Sequence, residues 1–345
     1  MALSAAPSLE PVAHGGDLAA ARQMFPNAPE PFIDLSTGIN PYPYPLPALP
    51  PDIFARLPDR AGVRRLAAVA ALAYGAPSAD HVLPAPGTQL LLPQAAMLAP
   101  PGRAAILRTS YAEHARAASL AGHGVSSVTD ADQLGRADLA VVVNPNNPDG
   151  RIVPRATLLD IAEKLRPRGG VLVVDESFAD VAPPCASLAG DVARGTIVVL
   201  RSFGKFFGLA GLRLGFALAA PSLINRLDAM LGPWAVAGPA LFIGEQALAD
   251  EAWKGQTLAR LAKAATRLDG LLAGAGLEVI GGTPLYRLTR SSGAEQLFDE
   301  LGRAGILVRR FTEEATWLRW GLPHSEAEWQ RLSAALSSRG QFVTN

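Results

Sequence analysis

Cysteine is almost missing from this chain: Cys185 is the only one in 345 residues. An internal disulfide is therefore excluded, and the composition fits a reducing compartment. Net charge is absent as well, with 31 basic residues against 31 acidic ones. There is no basic tail or arginine stripe for nucleic acid and no charge block for a polyelectrolyte partner. Although hydrophobic residues make up 49% of the chain, no uninterrupted apolar run approaches the ~20 residues that span a bilayer. The opening MALSAAPSLE has neither the basic start nor the long apolar core of a signal peptide, and a cytoplasmic, membrane-free protein is expected. Lysine is the last scarcity. Besides Lys205 there are only Lys164, Lys254 and Lys263.

Lys205 stands in RSFGKFFGLAGLRLGF, residues 201–216, between Gly204 and Phe206. An amine withdrawn from water shifts toward its neutral, nucleophilic form, which suits Schiff-base chemistry with an aldehyde. On its own the lysine is equally well a snorkelling side chain at a strand end. Ser202, three residues before it, and Arg213, eight residues after it, flank a small-residue GLAG segment. Hydroxyl, ammonium and guanidinium on one glycine-loosened loop form a phosphate cradle. An aldehyde site beside a phosphate site points to pyridoxal phosphate.

Short β-rich runs at Ala104–Leu107, Leu139–Val143, Val171–Asp175, Ile197–Leu200 and Leu214–Leu218 alternate with helical patterns at Leu90–Leu98, Glu113–Ala121 and Pro154–Leu165. Continuous apolar strands read as buried on both faces, and the alternation predicts an α/β fold with a mostly parallel sheet. A long helical stretch, roughly 240–274, leads to a smaller α+β part with strands near Leu285–Leu288, Ile306–Val308 and Trp317–Trp320. The expected division is an N-terminal arm over 1–45 packing on the small domain and the active site, a large cofactor domain over 46–240 and a small domain over 241–345. PYPYPLPALPP at 41–51 is too rich in proline for helix or central strand and serves as a connector.

Three strand ends carry polar chemistry, where such sheets place ligands. Asp175 closes VLVVD; opposite a pyridine nitrogen it would hold a proton there, while the plainer reading is a helix N-cap. NPNNPDG at 144–150 makes a good turn, and Asn147 in it is placed to donate an amide to a ring oxygen. Gly87-Thr88-Gln89 opens a helix, whose free N–H groups suit an anion. Tyr111 could stack on a ring with His114 facing the same way; alone it would read as a core aromatic.

With those motifs in place, the chain resembles the fold-type I pyridoxal-phosphate enzymes of the histidinol-phosphate aminotransferase subgroup, and within it the threonine-phosphate decarboxylase branch of cobalamin biosynthesis. The matching stretches are HGG at 14–16, LSTGINP at 35–41, PGTQ at 86–89, NPNNPDG, DESF at 175–178, the lysine motif and LGPWAVAGPAL at 231–241. The resemblance implies the aspartate aminotransferase-like fold and a homodimer. It makes Lys205 the Schiff-base lysine, Asp175 the pyridinium partner and Asn147 the donor to the ring oxygen. Thr88, Gln89, Ser202 and Arg213 would hold the cofactor phosphate under a stacked Tyr111. His14, Gly15, Asn40, Asn147, Arg309 and Arg319 would meet a small phosphorylated amino acid, with Arg319 on its α-carboxylate. Arg310 adjoins Arg309, and strand alternation lets one of the two face the site; motif position selects Arg309. Two departures stand out. Phe178 replaces the tyrosine usual in transaminating relatives, and Leu57 replaces a tyrosine that reaches a neighbouring subunit's cofactor phosphate. Phe178 and the HGG arm favour decarboxylation over the aminotransferase alternative. A non-catalytic sensor feeding a DNA-binding module is disfavoured by the neutral charge and the short N-terminus, and no G-x-G-x-x-G follows the first strand.

Overall fold

The computed structural model describes residue 12 and residues 14–337. Of the expected N-terminal arm, residues 1–11 and 13 lie outside the described residues. Twelve strands are formed among those described: β1 (Ile33–Leu35), β2 (Val82–Ala85), β3 (Arg103–Leu107), β4 (Gly124–Val128), β5 (Leu139–Val143), β6 (Val171–Asp175), β7 (Ile197–Ser202), β8 (Gly215–Ala219), β9 (Glu278–Thr283), β10 (Tyr286–Arg290), β11 (Ile306–Arg310) and β12 (Trp317–Trp320). They make two sheets in two compact units. One unit comprises residue 12, 44–147 and 151–253, the other 14–43, 148–150 and 254–337.

The first unit holds a seven-stranded sheet in the order β2-β8-β7-β6-β5-β3-β4. Every pairing is parallel except those of β8, which runs antiparallel to both β2 and β7. Strands β5 and β6 are buried at every position, and the pleat explains their unbroken apolar sequences. Val171 and Val173 share a core with residues of the helices Thr88–Ala96, Glu113–Leu120 and Pro221–Leu231. The alternate residues Leu172 and Val174 are equally buried, and the sheet needs cover on both sides. This is the predicted α/β class, with a mostly parallel sheet.

The second unit carries a five-stranded sheet, β1-β11-β12-β10-β9, in which β1 pairs parallel with β11 and the other pairings are antiparallel. Strands β1, β2, β4 and β9 are additions to the sequence prediction. The predicted helical stretch after residue 240 is two helices, Gly238–Ala249 and Glu251–Gly274. They separate at Asp250, whose carboxylate accepts from Trp253 N at 2.9 Å and so starts the second helix afresh.

Candidate active site

Asp175 is the last residue of β6 and is buried. Its Oδ2 lies 2.8 Å from His114 Nε2, on the first turn of the helix Glu113–Leu120. Its Oδ1 accepts from Ser177 N at 3.0 Å and from Ser177 Oγ at 2.5 Å, the spacing of an Asx turn. Burial opposes ionisation, but the hydrogen bond and charge of His114 and the two Ser177 donors outweigh it and hold the carboxyl below the usual range. The carboxylate therefore keeps its charge in an apolar setting, the condition for pairing with a cationic ring nitrogen.

Tyr111 stands edge-on to His114, ring centres 6.0 Å apart. Its hydroxyl donates to Gln89 Oε1 at 3.0 Å, and Gln89 Nε2 donates to Glu113 Oε2 at 3.0 Å. The Gln89 side chain is thus engaged in fixing Tyr111. What Gln89 offers an anion is its backbone N–H in the first turn of the helix Thr88–Ala96.

The phosphate cradle is assembled by close backbone approach. Ser202 pairs with Gly215 across β7 and β8. A β-carbon on Gly215 would sit 2.7 Å from Thr88 N, and one on Gly87 would sit 2.7 Å from Arg213 Nη2. Arg213 itself adopts φ 52°, a left-handed conformation unusual for a residue with a side chain, and donates to Ala210 O at 2.9 Å. Thr88, Ser202 and Arg213 are brought together around a helix N-terminus that two glycines leave open. An anion fits there, and the phosphate of pyridoxal phosphate is an anion of this kind.

Lys205 lies in the short helix Phe203–Phe206, directly after β7. Phe203 stacks on Phe207 at 4.3 Å, and Phe207 stacks on Trp253 at 5.5 Å. This aromatic column fixes the turn on which the lysine is mounted. Lys205 Nζ is 5.8 Å from the centre of the Phe178 ring, and Phe178 is buried. Asn147 is half-buried in the loop after β5. Beneath β7, the Arg201 guanidinium pairs with Glu176 at 3.1 Å and Asp180 at 2.9 Å and covers the Tyr74 ring at 4.3 Å. Burial works against its charge, and Asp180 and Glu176 nevertheless hold its pKa above the ordinary value.

In the second unit, Arg309 and Arg319 are register partners across β11 and β12, and the pleat gives them a common face. Arg310 turns the other way, its guanidinium 4.6 Å from the Phe298 ring. Buried Arg319 donates through Nη2 to Ser36 O at 2.7 Å and lies 5.3 Å from the Tyr286 ring. Ser36 Oγ accepts from Gly16 N at 2.7 Å and donates to Asp34 Oδ1 at 2.6 Å. A β-carbon on Gly15 would strike the Ser36 carbonyl, so the HGG segment is seated on the residue that steadies Arg319. His14 is exposed. Asn40 is buried and accepts from Tyr42 N at 2.8 Å.

Sequence reasoning passed over Ser36, Glu113, Ser177 and Arg201. Ser177 had a signal in its spacing of two from Asp175, and Ser36 lies inside the LSTGINP match. Arg201 could have been noticed as a charge at the end of an apolar strand, whereas nothing local marks Glu113.

The chain belongs to the aminotransferase class I and II family, whose model matches residues 53–336. It is 44% identical over 332 residues to a threonine-phosphate decarboxylase of Sinorhizobium sp, covering 95% of this chain and 98% of that one. It is 43% identical to a threonine-phosphate decarboxylase of Pseudomonas aeruginosa, over 94% and 96% of the two chains. The fold is shared with histidinol-phosphate aminotransferase of Sinorhizobium meliloti, solved in complex with pyridoxal-5'-phosphate: TM-score 0.79, 21% identity, 94% of this chain and 95% of that chain covered. Among the described residues no helix is long and apolar enough to cross a membrane.

Proposed function

We propose that this chain is a pyridoxal-phosphate-dependent decarboxylase that converts O-phospho-L-threonine to (R)-1-aminopropan-2-yl phosphate and CO2 in cobalamin biosynthesis. The observation that carries the reading is the register of Arg309 against Arg319. Like charges directly opposite on neighbouring strands repel, and such a pair suits a substrate bearing two anionic groups, a carboxylate and a phosphate ester. The near-full-length relatives named threonine-phosphate decarboxylase support the same substrate.

Pyridoxal phosphate supplies an aldehyde that joins the substrate amine and a cationic ring that accepts the electron pair released at Cα. The N–H groups of Thr88 and Gln89, with Ser202 and Arg213, hold its phosphate. Asp175, kept ionised by His114 and Ser177, holds a proton on the ring nitrogen. Tyr111, steadied through Gln89, offers its face to the ring, and Asn147 donates an amide hydrogen to the ring oxygen. Phe178 brings no hydroxyl to that oxygen, unlike the tyrosine of transaminating relatives. Lys205 would hold the cofactor through its aldehyde, and the ammonium form of the same side chain would supply the proton that Cα takes up. Arg319 would bind the α-carboxylate of the substrate and orient it for loss as CO2. Arg309, His14, Gly15 and Asn40 take the phosphate end of the substrate and close over it. The enzyme acts as a cytoplasmic homodimer.

The test is incubation of the purified, cofactor-loaded protein with O-phospho-L-threonine and no keto acid. Stoichiometric CO2 and amine phosphate over repeated turnovers are expected. No CO2, together with glutamate formation from histidinol phosphate and 2-oxoglutarate, would make the protein an aminotransferase instead.

A further inference from the structure

The loop that carries Asn147 is anchored twice, by different sheets. On its leading side Asn144 N donates to Asp175 O at 2.8 Å, Asn146 N to Arg151 O at 2.8 Å, and Asn146 Nδ2 to Thr109 O at 2.6 Å, all within the first unit. The next three residues, Pro148–Gly150, belong to the second unit, and the chain returns to the first at Arg151. Within the second unit Gly282 N donates to Asp149 O at 2.8 Å. The two backbones approach so closely that a β-carbon on Gly150 would strike the Gly282 carbonyl, and one on Gly281 would strike the Asp149 carbonyl. The hairpin is shaped for this approach. Its register steps from Leu288–Gly281 to Thr289–Val279 and leaves Ile280 as a bulge beside the two glycines, the device by which strands re-aim their neighbours near functional sites.

Asn147 is therefore the residue between two anchorages, one peptide bond from a segment clasped by the β9–β10 hairpin. We infer that Gly281 and Gly282 are positioning residues: the hairpin sets where Asn147 stands, and through it the strength of the amide hydrogen bond to the cofactor ring oxygen. The inference rests on the role of Asn147 proposed above. Gly281 is outside the positive-φ glycines, so alanine meets no backbone strain there, and contact with Asp149 is what it changes.

The experiment is a pH titration of visible absorption for the protein loaded with pyridoxal phosphate, comparing wild type, Gly281→Ala, Asn147→Ala and the double variant. Amide donation favours the anionic ring oxygen and so lowers the midpoint between the two absorption bands; losing it raises the midpoint. A hydrogen bond to a charged group corresponds to about 1–2 pH units for Asn147→Ala, and its weakening to about 0.5–1 unit for Gly281→Ala. In the Asn147→Ala background Gly281→Ala should add nothing, because coupled positions are not additive. Gly270→Ala, where a β-carbon meets nothing within 4 Å, should leave the midpoint in place. A wild-type midpoint in Gly281→Ala while Asn147→Ala shifts overturns the positioning role and leaves the cofactor assignment standing. A Gly281→Ala shift that persists without Asn147 does the same. No shift in Asn147→Ala, or no visible band in the wild type, overturns both. Should Gly281→Ala fail to fold, Pro148→Gly loosens the same link without adding an atom. It should raise the midpoint by a smaller amount, and an unmoved midpoint there overturns the proposal.

Discussion

Asp175 has His114 Nε2 on one oxygen and two Ser177 donors on the other, and each favours the ionised form. Its folded-state pKa is lowered, so the sign is that of a paired carboxylate. The stabilisation is complete above the unfolded value of about 3.9 and fades only as pH falls through the lowered value. Cofactor held by this carboxylate should stay bound from neutrality down to about pH 4. His114→Ala removes the strongest opponent of the burial penalty. The pH at which acid releases the cofactor should then rise, and the dissociation constant for pyridoxal phosphate should grow roughly 10–100-fold, the weight of a charge-assisted hydrogen bond. Absorbance of the bound cofactor against pH and equilibrium dialysis read the two effects. Asp175 was visible in the sequence as a carboxylate ending an apolar strand. The role of His114 was not, because its position three residues after Tyr111 says nothing of a partner 61 residues away.

Strands such as β5 and β6 were legible because burial on both faces leaves no polar positions to blur the pattern. Strand β4, GVSSV, is exposed along most of its length, and its polar sequence gives no apolar run. β1 has three residues, and β9 carries two glycines where the hairpin and the loop 148–150 approach. The choice between Arg309 and Arg310 was likewise a matter of the partner strand. Alternation shows that they face opposite ways, and only the register with Arg319 says which way is which. Strand β7 ends on a buried ion pair, and a prediction belongs at that scale. Arg201→Leu leaves Glu176 buried without its cation and should cost about 3–5 kcal/mol of stability in urea denaturation. Glu176→Gln in the same background should recover part of that loss by removing the stranded charge. A loss below about 1 kcal/mol, the worth of a surface pair, would contradict the account.

The first unit exposes Leu46, Phe54 and Leu57 within twelve residues and Trp234 further on. Cover by a second copy is the arrangement expected of the proposed homodimer. Sedimentation should give about twice the 36.0 kDa chain mass, and Phe54→Asp with Leu57→Asp should shift the population toward single chains. An unchanged mass distribution would remove this surface from the dimer. The parallel pairing of Ile33–Leu35 with Ile306–Val308 sets the order of events on the ribosome. The earlier strand leaves the exit tunnel about 270 residues before its partner, a wait of roughly 15–55 s at ordinary elongation rates. Through that interval β1 and the neighbouring Phe32 have no strand to pair with. That unit cannot form its sheet until residues 306–308 have been made, and a nascent chain of this protein has reason to need a chaperone at its first strand.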